Sequence, residues 1–130
     1  MTTDLWMLVW SAVLCLSLPA VYLIGRVATP GGMVWGLGNR DTPFEVPAWT
    51  GRAQRAHLNL LENLPVFAIL VLVAHVAGRA NATTALGATL FLCGRGLHAA
   101  VYVAGITVLR TGVFFVALAG ELLILSQLLA

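Results

Sequence analysis

The sequence predicts an all-α integral membrane protein, a four-helix bundle forming one domain over residues 1–130. Three observations point there. The chain is 60% hydrophobic and only 9% charged, with a mean hydropathy of +0.94, whereas a soluble domain carries about 25% charged residues. Apolar runs recur four times, over residues 5–25, 52–77, 82–105 and 111–130; about 20 helical residues at ~1.5 Å each cross the ~30 Å hydrocarbon layer. One long and two short connections join them, as a bundle of antiparallel neighbours requires.

The first span starts near Leu5 with Trp6 and Trp10, aromatic residues suited to an interface. Pro19 should kink it or end its regular part. The leader Met1-Thr2-Thr3-Asp4 has no basic residue and no small-x-small site follows the run, so the segment does not read as a cleaved signal. Arg26 closes the span, as an interfacial anchor or as part of a polar site.

Ala28 to Gly51 is the long connection. Pro30, Gly31, Gly32, Gly36, Gly38, Pro43 and Pro47 predict an irregular path, with a turn at Asn39-Arg40-Asp41. Trp35 and Trp49 place it against the membrane surface. Thr50 reads as the N-cap of the second span.

That second span has a polar first half and an apolar second half, divided at Pro65, where the helix should bend. Arg52, Arg55, Asn59 and Glu62 are spaced 3, 4 and 3 apart, one stripe of a helix. Charges at this depth need protein or water beside them. They are either structural charges paired with neighbouring helices or the wall of a site. Gly78-Arg79-Ala80-Asn81 is the next turn.

In the third span Arg95, His98 and Tyr102 fall on another stripe. Arg95 lies deep and requires a carboxylate or water, and Glu62 and Glu121 are the intramembrane carboxylates on offer. His98 taken alone reads as a core histidine bonded to a carbonyl; beside Arg95 and Tyr102 it reads as part of a site. Gly96, Ala100 and Ala104 form a small-residue ridge for close helix packing. Arg110-Thr111 opens the fourth span, in which Glu121 is the only charge and Gln127 lies near the end.

A net charge of +2, with no lysine, does not support nucleic-acid binding. Cys15 and Cys93 sit within apolar runs and read as packing residues. No His/Cys pair has metal-ligand spacing, so no metal is expected. Arg26, Arg40, Arg52, Arg55 and Arg110 gather on the long-loop side and Arg79 stands alone on the other. The positive-inside rule then puts the loop in the cytoplasm and both termini outside. An arginine-rich pocket with Glu62 suits a small anion carrying carboxylates and an amine.

Arg52-Ala-Gln-Arg55-Ala-His57-Leu-Asn59-Leu-Leu-Glu62, followed by a Pro and a Phe, resembles the signature of the MAPEG family, membrane-associated proteins in eicosanoid and glutathione metabolism. Gly94-Arg95-Gly-Leu-His98-Ala-Ala-Val-Tyr102, followed by Arg110, is similar to the matching helix of its prostaglandin E synthase branch. The resemblance is to a bacterial-type member, and so to an inner-membrane location. It implies a homotrimer in membrane lipid, with glutathione as co-substrate bound between protomers near the cytoplasmic side. Arg52, Arg55, Asn59, Glu62, His98, Tyr102 and Arg110 match residues that contact glutathione there, and Arg95 one that holds the site together. Arg110, with the neighbouring Thr111, matches the position that favours the glutathione thiolate. Three departures stand out: Leu58 replaces an arginine, Thr111 a serine, and the Tyr102–Arg110 segment is slightly shorter.

The resemblance therefore implies a glutathione-dependent transferase or peroxidase acting on lipophilic electrophiles that arrive through the bilayer. Leu58 motivates the alternative, a non-catalytic lipid-binding or scaffold protein of the same fold.

Overall fold

The computed structural model describes residues 1–130. Its helices are α1 (Thr3–Val27), α2 (Gly32–Leu37), α3 (Ala48–Val76), α4 (Ala82–Ala104) and α5 (Thr107–Leu129). All except α2 are long and apolar enough to cross a membrane. Most of the large apolar side chains on their outer faces are bare, Leu16, Val76 and Leu122 among them. A water-soluble bundle would cover such surface or replace it with charge.

The chain starts at one end of the bundle, the terminal end, and the long connection lies at the other, the loop end. At the terminal end α1, α4 and α5 are tied by polar contacts. Asn81 caps α4, its Oδ1 accepting from Thr83 N at 2.8 Å and Thr84 N at 3.1 Å. Thr84 Oγ1 donates to the buried Asp4 carboxylate on α1, and Asn81 Nδ2 donates to Gln127 Oε1 on α5 at 3.0 Å. This is the one side-chain hydrogen bond between α5 and another part of the chain. At mid-depth Phe67 of α3 stacks on Phe91 of α4, ring centroids 3.8 Å apart.

α4 and α5 form a hairpin joined only by Gly105 and Ile106. They approach through glycine: a methyl group on Gly87 would lie 2.6 Å from the Gly120 carbonyl, and one on Gly94 about 3 Å from Ala117. The expected ridge of Gly96, Ala100 and Ala104 is not the one used. Gly96 faces open space, and Ala100 and Ala104 are exposed. Two helical positions are ~200° apart, so Gly94 in the contact puts Gly96 on the opposite side.

Other boundaries differ from the sequence reading. α3 begins at Ala48, before Thr50, so Thr50 is no N-cap; it is buried within the first turn, against Gly25 of α1. Pro47 is the preceding residue and supplies no side-chain cap. α5 begins at Thr107, which puts Arg110 and Thr111 inside its first turns. Both proline-containing helices run on through Pro19 and Pro65. The glycine-rich connection folds a short helix, α2, and Arg40 then takes a φ of 61° while donating twice to Gly36 O. Trp35 stacks on Phe44 and donates from Nε1 to Thr42 O at 2.7 Å.

Candidate functional site

The stripe on α4 and the first turns of α5 face each other at the loop end. Between them opens a groove of about 400 Å³ lined by Asn59, His98, Tyr102, Arg110, Thr111, Phe114 and Phe115. Five of these are residues the sequence singles out. The arrangement follows from helical spacing: His98 and Tyr102 are one turn apart on α4, as are Arg110 and Phe114, and Thr111 and Phe115, on α5.

Arg110 sits over the Tyr102 ring, its guanidinium carbon 4.5 Å from the centroid. The contact holds the cation at the groove edge without consuming its N–H donors. His98 is nearly enclosed, edge-on to Tyr102 with centroids 5.5 Å apart and tilted against Phe114 at 6.3 Å. It makes no side-chain hydrogen bond to a carbonyl, which removes the simplest structural account of it. Thr111 Oγ1 is 3.5 Å from Thr107 O, a long contact that leaves the hydroxyl free to turn toward the groove.

Arg95 lies beneath the groove and is 2% exposed. The expected carboxylate partner is replaced by an amide and a carbonyl: Nη2 donates to Asn59 O at 2.6 Å and to Asn59 Oδ1 at 2.9 Å. Asn63 Nδ2 shares the same Asn59 carbonyl at 2.7 Å. Phe91 and Phe114 flank the Arg95 guanidinium at 5.9 and 5.8 Å. Buried Glu121 of α5 supplies opposite charge to the same interior without a direct bond, and its Oε1 and Arg95 Nε have no hydrogen-bond partner.

The other predicted residues are elsewhere on the protomer. Arg52 Nε donates to Val103 O at 2.9 Å, and its guanidinium covers Gly105. It satisfies a carbonyl at the α4 C-terminus, where a cation is favoured. Gly105 is needed there because φ is +83° and a side chain would meet that guanidinium. Arg55 and Glu62 are exposed on α3 and do not line the groove. Glu62 is fourteen residues into a 29-residue helix, about 21 Å from its start, just before the helix turns apolar. Exposed Leu58 and Leu61 flank it.

Phe114 and Phe115 escaped the sequence reading, although the one-turn repeat from Arg110 and Thr111 points to them. Arg26 also gains a role: its Nη2 donates to Gln54 Oε1 at 2.7 Å, tying α1 to α3, and its guanidinium lies over Tyr22 and Trp35. The groove thus joins a fixed cation, an imidazole, a phenol and a hydroxyl to an aromatic wall. It suits a ligand with an anionic head and an apolar reaction partner.

A family model described as the MAPEG family matches residues 5–130. No curated protein and no solved structure matches the chain.

Proposed function

The chain belongs to the MAPEG family, and from that premise we propose that it is a membrane-embedded, glutathione-dependent transferase or peroxidase for lipophilic electrophiles. The observation that carries this reading is Arg110 held over Tyr102 in a groove that Phe114 and Phe115 also line. A thiol with a free pKa near ~8.5 is mostly protonated at neutral pH, and a guanidinium beside it favours the thiolate. The Thr111 hydroxyl can donate to the same sulfur. The thiolate then attacks the electrophilic carbon, the thiol proton having left to water, and the new S–C bond forms as the leaving group or π pair departs. Phe114 and Phe115 hold the apolar reactant and keep water from it.

Glutathione carries two carboxylates and an ammonium group, more charge than the groove of one protomer matches. The remaining partners in this reading are Arg55 and Glu62, on the bare flank of α3, and Arg52 at the loop end. A Glu62 carboxylate exposed where the helix turns apolar is costly against lipid. Covering that flank with another copy of the chain removes the cost and completes the site. In this reading the assembly is the homotrimer that the family resemblance implies, with glutathione between protomers, the arginine-rich loop end in the cytoplasm and the termini outside.

The test is ultraviolet thiolate absorbance on adding glutathione to the purified protein. Stoichiometric thiolate formation is expected at neutral pH. Tight binding with no thiolate signal would instead favour a binding protein.

A further inference from the structure

A second cluster of reactive groups lies between α1 and α3, apart from the groove. Cys15 Sγ is 3.6 Å from His57 Nε2, and Tyr22 Oη is 3.3 Å from His57 Nδ1 on the opposite side of the ring. In the tautomer that satisfies both contacts, Nδ1–H donates to the tyrosine oxygen and Nε2 accepts from the thiol. This is a nucleophile, a base and a group that orients the base, the arrangement that activates a thiol. Arg26 extends the thread, its guanidinium 4.9 Å from the Tyr22 ring centroid, toward the loop end.

Cys15 is the middle residue of α1, so its thiol lies at the centre of the bilayer. It is 9% exposed, next to Leu16, which is 80% exposed on the outer face. The reactant must therefore arrive dissolved in lipid. Its chemistry is narrowed by what is beside the sulfur. The one hydrogen bond of Cys15 is to the base, which can take the thiol proton and return it. A reaction with no leaving group to expel, needing a nucleophile and a base that takes its proton and gives it back to the product, fits: conjugate addition.

We propose that Cys15, with His57 as base and Tyr22 as its orienting group, is a site of covalent addition for bilayer-borne α,β-unsaturated aldehydes. The sulfur pair forms an S–C bond to the β-carbon, and the C=C π pair moves into the enolate. The thiol proton passes to His57 Nε2 and then to the α-carbon. The product is a thioether, with no oxidant and no leaving group, and His57 ends neutral.

Cys93 is an internal control. It is the middle residue of α4, at the same depth, but it is exposed and has no hydrogen-bond partner. Exposure alone predicts that Cys93 reacts first; the Cys15–His57–Tyr22 geometry predicts the reverse. The full-length protein in phosphatidylcholine vesicles, without glutathione, is treated with an alkyne-tagged long-chain 2-alkenal, and adducts at both cysteines are timed by mass spectrometry. Cys15 is expected to react at least about tenfold faster than Cys93, general-base assistance being worth that or more. His57→Gln should abolish the advantage and Tyr22→Phe should reduce it, with the Cys93 rate unchanged as the report of an intact fold. Cys93 reacting as fast as Cys15 overturns the proposal, as does a Cys15 rate untouched by His57→Gln. Should His57→Gln disturb the fold, Tyr22→Phe decides, and an unchanged Cys15 rate there overturns it equally.

Discussion

Arg95 and Asn59 are joined twice, one guanidinium nitrogen reaching both the backbone carbonyl and the side-chain oxygen of the same asparagine. The contact fixes Asn59 with its oxygen turned inward, so its amide N–H groups remain for the groove that Asn59 also lines. A buried cation thereby orients a residue of the groove wall without reaching the groove itself.

Removing that cation should be expensive. Arg95→Leu strands the Asn59 oxygens and removes the opposite charge nearest Glu121, and losing hydrogen bonds made by a charged group costs about 1.5–3 kcal/mol. A thermal melt in detergent measures the loss. Arg95→Leu combined with Glu121→Leu should recover part of it, since the two charges share one interior and their effects do not add.

Arg110→Ala should lower the rate of conjugation with a generic electrophile by about 100-fold, the scale of losing one preorganised stabilising group. Glutathione should still bind. Steady-state kinetics with a chromogenic electrophile, alongside isothermal calorimetry, separates the two effects. Full activity in this variant removes Arg110 from the mechanism.

Glu62→Ala tests the flank of α3. If that carboxylate meets the ammonium of glutathione at a boundary between copies, affinity should fall at least about tenfold, or ~1.4 kcal/mol. Native mass spectrometry of the unaltered protein should show three chains. Unchanged affinity in Glu62→Ala would detach this residue from the ligand.

The α4–α5 contact offers a paired comparison. Gly87→Ala drives a methyl group into the Gly120 carbonyl and should destabilise by about 1–3 kcal/mol, as overpacking does. Gly96→Ala meets open space and should be neutral or stabilise by up to ~1 kcal/mol through helix propensity. Melting temperatures of the two variants should move in different directions, or one should not move at all.

Much of this architecture is legible in the sequence because lipid enforces simple rules: run length gives the four spans, and one-turn spacing gives Asn59, His98 and Tyr102, while Arg110 comes from the family resemblance. Where the sequence reading fails, the competing physics is local or tertiary. Thr50 has the chemistry of a cap, yet α3 begins earlier and buries it against α1. Gly96, Ala100 and Ala104 have the spacing of a packing ridge, as do other small residues on the opposite face, and composition cannot say which face α5 takes. Arg95 calls for a counter-charge by its depth, but the backbone of Asn59 serves it, which no side-chain inventory reveals. Arg55 and Glu62 share a stripe with Asn59 but not its groove, because a stripe is wide enough to serve two neighbours.

The lashing of α5 by Gln127 alone, at the far end from the groove, has a mechanical corollary. Near Arg110 the helix leans on its surroundings through aromatic faces, which slide past one another with little directional resistance. In the proposed reaction a greasy molecule wedging in beside Phe115 would therefore break no bond to gain admission, and its bulkier product would escape by the same sideways give.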